Sequence, residues 1–586
     1  MNYFKGQIVF YNFLKSYSSQ LRFLSQVQQK LTSSYYFMPG DTILSSSTLS
    51  QVLDETADKC GDETAFISVH QGISKNFTSF RHEVDRLASG FVALGLKKGD
   101  RIGICSPNCY EWPLTQYAAA KAGLILVNIN PASQAPELEY SLQKVDCKAL
   151  VTWDVLKTQV FYDILCQIIP DLPKNDRYKL NTSKFPNLKV IVMISEDKKD
   201  GVLNFNEVLE FGDKESDKTL YEVERTIQFD DPVNIQYTSG TTGEPKGVIL
   251  SHHNIINNSL ITGKRIGYNL MKPKICLQVP LFHCFGCVLG TIASVMHRGT
   301  CVFPYLGFHA ETSLKAIEKY KCTVIYGTPT MYVDMLHNFK LQKYDISSIK
   351  QAVMGGSPAV ESLVEEIKNV LNPSYVHIAY GSTENSPVVA INGVNEEFQN
   401  AVKGILPLIE YVECKIVDSK GQVVPVNNEG ELCVRGHGLF LGYWNDEAKT
   451  SEVLSETNWY STGDLTTMNE DGYIKIVGRK KDMIIRGGEN IYPSEIENFL
   501  NTHPSVLEVN VVGVPDKRMG EEVCAWIVVK KGMNLTEENV KEFCKGKLSH
   551  FKIPRYIMFV DDFPKTPSGK IKKYEMVKIS TEKLNL

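Results

Sequence analysis

The residues best suited to chemistry lie in one short run, Tyr237-Thr238-Ser239-Gly240-Thr241-Thr242-Gly243-Glu244-Pro245-Lys246-Gly247. Thr238, Ser239, Thr241 and Thr242 supply hydroxyl donors, and Gly240 and Gly243 let the backbone turn its N–H groups toward an anion. Lys246 adds a compact positive charge of the kind that binds phosphate. The run predicts a phosphate cradle. In the P-loop pattern Lys-Ser or Lys-Thr follows the last glycine directly, whereas Gly243 is followed by Glu244-Pro245. The G-x-G-x-x-G of dinucleotide-binding folds is not matched either.

A second group, His283-Cys284-Phe285-Gly286-Cys287, has metal-ligating residue types. No second ligand pair stands at zinc-site spacing and the neighbours are apolar, so packing is the expected role.

The elements that must hold these residues are legible as alternating patterns. The run 48–68 reads as an amphipathic helix leading into a strand. Short β-branched runs such as RIGICSP, AGLILVNINP, KALVTWD, LKVIVMIS and CTVIYGTPT then alternate with helical patterns. This alternation predicts an α/β protein with much sheet. Between VECKIVD and GYIKIVGR strands and turns become denser, and the pattern stops at the charged stretch Gly478–Asp482. A compact unit follows. Pro493 opens a helix with Ile496, Phe499 and Leu500 on one face. LEVNVVGV and CAWIVVKK read as strands, and Thr536 caps a helix with the stripe Val540, Phe543, Cys544 and Leu548. YIMFV is a last strand before the loop PKTPSGK. We therefore expect a large N-terminal domain over 48–477, a hinge at 478–482 and a small, mobile α/β C-terminal domain over 483–578.

With 586 residues the chain can build several cores, and its net charge of −4 offers no basic face for nucleic acid. Its 14 cysteines are scattered through apolar segments, which suits reduced thiols inside a cell. The most apolar long stretch, Cys276–Met296, is broken by Gln278, Pro280 and His283, so no membrane span is expected. The first forty residues contain no acid. They place Phe10, Phe13, Leu14, Tyr17, Leu21, Leu24 and Leu31 on one helical face, opposite Lys15, Arg22 and Lys30. Segment 1–40 therefore reads as a mitochondrial targeting sequence. The alternative is an N-terminal helix packed on a cytoplasmic protein. The C-terminal Lys583-Leu584-Asn585-Leu586 is not the peroxisomal address.

Five motifs in order carry a resemblance: the run 237–247, Tyr380–Glu384 (YGSTE), Tyr460–Asp464 (YSTGD), Gly478–Glu497 (GRKKDMIIRGGENIYPSEIE) and Pro564–Lys570 (PKTPSGK). Over about residues 48–578 the chain resembles the adenylate-forming superfamily of acyl-CoA synthetases, luciferases and peptide-synthetase adenylation domains. Within it, the chain looks most like the mitochondrial medium-chain acyl-CoA synthetases.

The resemblance implies that a fatty acid carboxylate attacks ATP to give acyl-AMP and pyrophosphate, and that coenzyme A then takes the acyl group. It implies that Thr238–Lys246 wraps the β- and γ-phosphates, with Tyr380 and Gly381 also at the nucleotide. Thr383 touches the α-phosphate, and Glu384 holds Mg²⁺. Asp464 accepts hydrogen bonds from the ribose, with Arg479 on the same sugar. Lys570 bridges the attacking carboxylate and the α-phosphate. His283, Gly355, Gly356 and Ser357 line the acyl pocket, although a histidine satisfied within the core is an equal reading of His283. Lys481 is the hinge, and Gly487-Gly488 lies beside the pantetheine arm. Where relatives carry T-V-G-[RK], this chain has Ala401-Val402-Lys403-Gly404, so no role passes to either of the last two.

The short stretch after Lys570 leads us to expect free coenzyme A as acceptor rather than a fused carrier. Rival readings are an adenylating enzyme with another acceptor, a nucleotide-binding regulator without turnover, and a P-loop ATPase releasing ADP. The partners expected are small molecules. Motifs do not disclose the oligomeric state or the acyl chain length.

Overall fold

Among the described residues, the alternating strand and helix patterns close into three large sheets and a two-stranded ribbon, Val155–Leu156 with Gln159–Val160, over residues 35–479, and a further sheet from residue 484 onward. The computed structural model describes residues 30–238, 245–342, 344–486, 489–545, 547–548, 550–566 and 570–586.

The first sheet has eight strands. Its parallel part runs Leu203–Asn204, Val190–Ile194, Ala149–Trp153, Arg101–Cys105, Ile125–Asn128, Pro232–Thr238. These short runs are covered on both faces, which is why they read as unbroken apolar sequence rather than as alternation. Pro232–Thr238 then pairs antiparallel with Lys246–Ser251, Thr238 opposite Lys246, so the phosphate run bridges the ends of a hairpin. Gly442–Tyr443 adds the last strand.

The second eight-stranded sheet is parallel from Thr64–Ser68 through Thr300–Phe303, Lys274–Leu277, Val324–Gly327 and Gln351–Met354 to Tyr375–Gly381. Antiparallel strands Ile73–Asn76 and Val388–Ile391 close its edges. The third, six-stranded sheet is antiparallel and contains Val412–Val417, Gly430–Gly436, Tyr460–Met468 and Ile474–Arg479. One continuous apolar core joins the three sheets, and a second fills the far face of the first.

Residues 35–37, inside the segment expected to target the chain, form an edge strand of this third sheet. Tyr36 lies opposite Cys414, and the Tyr35 hydroxyl donates to Glu413 Oε1 at 2.6 Å. Residues 1–29 of that segment lie outside the described residues.

From Ile484 the chain builds its own two-sided sheet. In Val506–Asp516 and Gly520–Val529, Val509, Val511, Val523, Ala525 and Ile527 face one core. Val512, Val514, Cys524 and Trp526 face the other, as a period of two requires. The helix opened by Pro493 ends at Leu500. The helix capped by Thr536 stops at Cys544, so Leu548 follows it rather than extending its stripe. A helix the sequence reading did not anticipate, Lys573–Leu584, buries Met576 and carries packed chain past residue 578. Among the described residues, no helix is long and apolar enough to cross a membrane. All fourteen cysteines are free thiols.

One helix adds buried amide bonds to its apolar packing between the sheets. On His252–Arg265, Asn258 Nδ2 donates to Val388 O at 2.8 Å and Asn385 O at 3.2 Å, while its Oδ1 accepts from Val388 N at 3.1 Å. Asn254 Nδ2 donates to His437 O at 2.8 Å. These bonds fix the turn at 382–388 against the helix. Replacing Asn258 by Ala strands a buried N–H and two carbonyls, and an unpartnered buried polar group costs about 1–3 kcal/mol. Asn258→Ala should therefore lower the urea midpoint of unfolding followed by tryptophan fluorescence. An unchanged midpoint would show that the turn is held by other contacts.

Candidate active site

The two ends of the hairpin, the end of the strand Tyr375–Gly381 and the cross-strand pair Asp464–Arg479 converge on one cleft. Each arrives there for a local reason. Gly381 has no alternative residue: a Cβ at this position would lie 1.8 Å from Pro387 O. That approach lets the chain leave the strand and turn through Thr383–Asn385, a short 3₁₀ segment that aims Glu384 inward.

Glu384 is only 8% exposed. Its Oε1 accepts from the Tyr443 hydroxyl at 2.9 Å, and its carbonyl accepts from Phe440 N at 2.9 Å. The Lys246 ammonium stands 4.7 Å from the centre of the Tyr443 ring, so Lys246 and Glu384 meet across this tyrosine. Tyr443 and its role escaped the sequence reading. It sits in the apolar run LGYW with nothing to mark it apart from packing.

Asp464 is 7% exposed and doubly held. The Tyr380 hydroxyl donates to Oδ2 at 2.6 Å, and Arg479 Nε lies 3.1 Å from Oδ1. The antiparallel register that places Asp464 opposite Arg479 makes this pair. Burial, then the adjoining carboxylate, holds the Tyr380 phenol well above its usual range, so it remains a donor. Lys481 lies nearby, its ammonium lowered first by burial and then by the charge of Arg479, and it also feels Lys246.

Lys570 reaches the same cleft from the C-terminal unit. Its backbone is held by Thr566: Lys570 N donates to Thr566 Oγ1 at 3.0 Å and Thr566 N donates to Lys570 O at 2.7 Å. The side chain keeps water-accessible surface, while the protein around its ammonium disfavours the charge. Burial, then the like charge of Arg479, lowers its pKa below the ordinary lysine value, while Cys284, Glu384 and Asp464 pull the other way. The structure thus brings together Lys570, Arg479, Asp464, Glu384, Thr383 and the His283 segment.

His283 is part of that wall. Burial, reinforced by Lys570, drops its pKa to about 3, so the ring is neutral, and Nε2 is buried with no partner among the described residues. Next to it, Cys284 Sγ lies 3.9 Å from Thr383 Oγ1, a neighbour the motifs did not point to. Gly355 follows the strand Gln351–Met354, and a Cβ there would approach Ala379 O at 3.3 Å and the Phe285 ring at 4.0 Å. Gly356 takes φ +89° beside Thr328, and Ser357 is exposed. The Pro245 carbonyl accepts from Tyr140 at 3.0 Å. Ser239, Gly240, Thr241, Thr242, Gly243, Glu244, Gly487 and Gly488 lie outside the described residues. The Lys403-Gly404 departure has a local cause. It ends the helix Phe398–Val402, with Gly404 at φ +65° where a side chain would be strained.

Comparison with known proteins fits this geometry. Residues 53–444 match the family model "AMP-binding enzyme", and residues 495–570 match "AMP-binding enzyme C-terminal domain". The "Medium-chain acyl-CoA ligase ACSF2, mitochondrial" of Danio rerio is 44% identical over 558 residues, spanning 95% of this chain and 92% of that one. The "Putative acyl-CoA synthetase YngI" of Bacillus subtilis is 39% identical, spanning 92% and 98%. The ATP-bound crystal structure of MatB from Rhodopseudomonas palustris superposes with a TM-score of 0.80 at 26% identity, covering 92% of this chain and 99% of that one. On the strength of these matches, the chain belongs to the AMP-binding enzyme family, built as a large α/β domain followed by a small one.

Proposed function

We propose that this protein joins a medium-chain fatty acid to coenzyme A at the expense of ATP, passing through acyl-AMP and releasing AMP and pyrophosphate. The observation that carries this reading is the convergence of Lys570 on Glu384, Asp464 and Arg479. The Lys570 ammonium feels a metal-type carboxylate, Glu384, and a ribose-type carboxylate, Asp464, at once. The names of the relatives, medium-chain acyl-CoA ligases, supply the substrate class.

The fatty acid arrives already ionised, so the first step needs no general base. It needs positive charge where two anions meet. In this reading Lys570 bridges the acid carboxylate and the α-phosphate. Carboxylate oxygen bonds to the α-phosphorus as the bond to pyrophosphate breaks. Thr383 holds the α-phosphate, Thr238–Lys246 guides the leaving pyrophosphate, and Asp464, Arg479, Tyr380 and Gly381 hold the nucleoside side. A neutral His283 suits the acyl wall formed with Gly355, Gly356 and Ser357, because it does not compete with Lys570 for the carboxylate.

Glu384 fits Mg²⁺. Only one of its oxygens is bonded to Tyr443, and among the described residues no three His, Cys, Asp or Glu side chains form a metal cage. That is the donor set of a magnesium ion held by one carboxylate together with substrate phosphates. When bound, the ion would neutralise phosphate charge. For the second step we propose that the domain carrying Lys570, residues 483–578, turns about a hinge at 478–482 centred on Lys481. The Gly487-Gly488 segment would then reach the cleft that 48–477 provides, and the coenzyme A thiol attack the acyl carbonyl, expelling AMP and losing its proton to solvent.

The test is product analysis with octanoate, ATP, Mg²⁺ and coenzyme A. Wild type should yield AMP, pyrophosphate and octanoyl-CoA. Lys570→Ala should lose pyrophosphate release by 10²-fold or more, roughly the scale of one lost charge contact at a transition state, yet still convert supplied octanoyl-AMP to octanoyl-CoA. ADP as product, or equal loss of both half-reactions, would contradict the reading.

We also place the protein in the mitochondrial matrix, from the basic amphipathic start of the chain and the mitochondrial relatives. The targeting part should end before the edge strand Tyr35–Phe37, since removing that strand would expose Val412–Val417. Residues 1–30 fused to a fluorescent reporter should carry it into mitochondria; a diffuse cytosolic reporter would overturn the assignment.

A further inference from the structure

A helix to which the motifs assign nothing fastens the phosphate hairpin from outside its sheet. In Ala135–Lys144 the first turn is tied back by Gln134 N, which donates to Glu137 Oε2 at 2.8 Å. Leu138 and Leu142 bury the helix in the core on the far face of the first sheet. The turn that follows meets both ends of the hairpin. The Tyr140 hydroxyl donates to Pro245 O at 3.0 Å, and the Tyr237 hydroxyl donates back to Ser141 O at 2.6 Å. Adjacent residues of one helix thus hold the residue before Lys246 and the residue before Thr238.

Both bonds answer a local need. Ser141 O is among the last four carbonyls of the helix, which find no acceptor role within it. Pro245 has no N–H to give to a strand ladder, and the named strands end at Thr238 opposite Lys246. The Tyr140 hydroxyl holds the chain one residue beyond that pair. The same helix also reaches the segment after Tyr443: Lys144 Nζ lies 3.9 Å from Asp446 Oδ2, a long and partly exposed pair that adds little. Trp444 N fixes this segment more firmly, donating to Gly247 O at 2.8 Å. Lys246 is therefore bracketed by bonds at Pro245 and Gly247, with its ammonium 4.7 Å from the Tyr443 ring. A lysine carries its charge on a flexible four-carbon stem, so its aim depends on how firmly its backbone is held.

We infer that Tyr140 is a positioning residue for the β- and γ-phosphates: by holding the Pro245 carbonyl it sets where Lys246 meets them. This rests on the function proposed above and deepens it, because it gives the helix Ala135–Lys144 a part in nucleotide recognition. Tyr140 acts through Lys246 and not on the nucleotide itself.

The experiment is calorimetric titration of the full chain, in Mg²⁺, with AMP and with an ATP analogue whose α,β-bridge is methylene. Tyr140→Phe keeps the ring and removes the donor. It should weaken the analogue by about 3- to 10-fold, the scale of one neutral hydrogen bond. AMP lacks the β- and γ-phosphates and should bind within about 2-fold of wild type, as an independent contact would. Supplied octanoyl-AMP should still become octanoyl-CoA at the wild-type rate. In a Lys246→Ala background, adding Tyr140→Phe should cost the analogue less than about 2-fold more, because the two residues act as one. Unchanged analogue binding in Tyr140→Phe overturns the role while leaving the adenylating reading in place. Equal weakening of AMP and analogue shows a merely structural tyrosine and also overturns it, as does a full further loss in the Lys246→Ala background. Wild type that binds neither AMP nor the analogue overturns the nucleotide reading, and the role of Tyr140 with it.

Discussion

Two anions have to meet in this cleft, and that requirement organises the rest of the structure. At 4 Å the repulsion between two unit charges is about 4 kcal/mol in surroundings of intermediate dielectric, before the further charges of a triphosphate are added. The answer is a set of cations that are close without being cancelled. Arg479 is committed to Asp464, and Lys246 faces the Tyr443 ring. Lys570 stands among them with a lowered pKa, chiefly from burial and then from Arg479. A lysine whose charge is disfavoured in this way is stabilised by an anionic substrate. Its charge is thus available for the reaction instead of being spent on the fold.

Holding such groups still takes unusual backbone. Gly381 is fixed because a Cβ there would lie 1.8 Å from Pro387 O, and Glu384 depends on it. Asn258 fastens the same turn from the helix below, and Tyr443 fastens the carboxylate from above. The cross-strand register of the third sheet makes the Asp464–Arg479 pair, and Tyr380, arriving from the second sheet, completes it. The site is built where three sheets end. The small C-terminal unit has separate cores, so it contributes a lysine without sharing the main core.

Much of this was legible in the sequence, for identifiable reasons. Fully buried parallel strands announce themselves as short apolar runs, and the two-sided C-terminal sheet as alternation. The motif residues Glu384, Asp464, Arg479 and Lys570, far apart in the chain, come into one region of the structure. What was not legible is contact between residues with ordinary environments. Tyr443, Cys284 and Asn258 sit in apolar or mixed runs where spacing says only that they are inside. Lys573–Leu584 was missed because its polar, weakly striped sequence resembles a tail, and only Met576 and Ser580 are buried along it. Leu548 was assigned to a helix by spacing alone, although that helix ends at Cys544. The hydrogen bonds that Asn128 and Gln236 donate to Cys287 Sγ depend on which strands lie side by side, and local sequence carries no such information.

The central claim is that the charge of Lys570 serves the first half-reaction, and the pH dependence of acid-dependent pyrophosphate release reads it most directly. As pH rises through a lysine's pKa the positive charge is lost. Because burial and Arg479 lower that pKa from 10.5, kcat/KM should fall on the alkaline side with a midpoint below that value. In Lys570→Arg, whose guanidinium stays charged, that limb should move beyond the measurable range even if the overall rate is reduced. The same alkaline limb in both proteins would mean that another group controls the step and that Lys570 does not supply its charge.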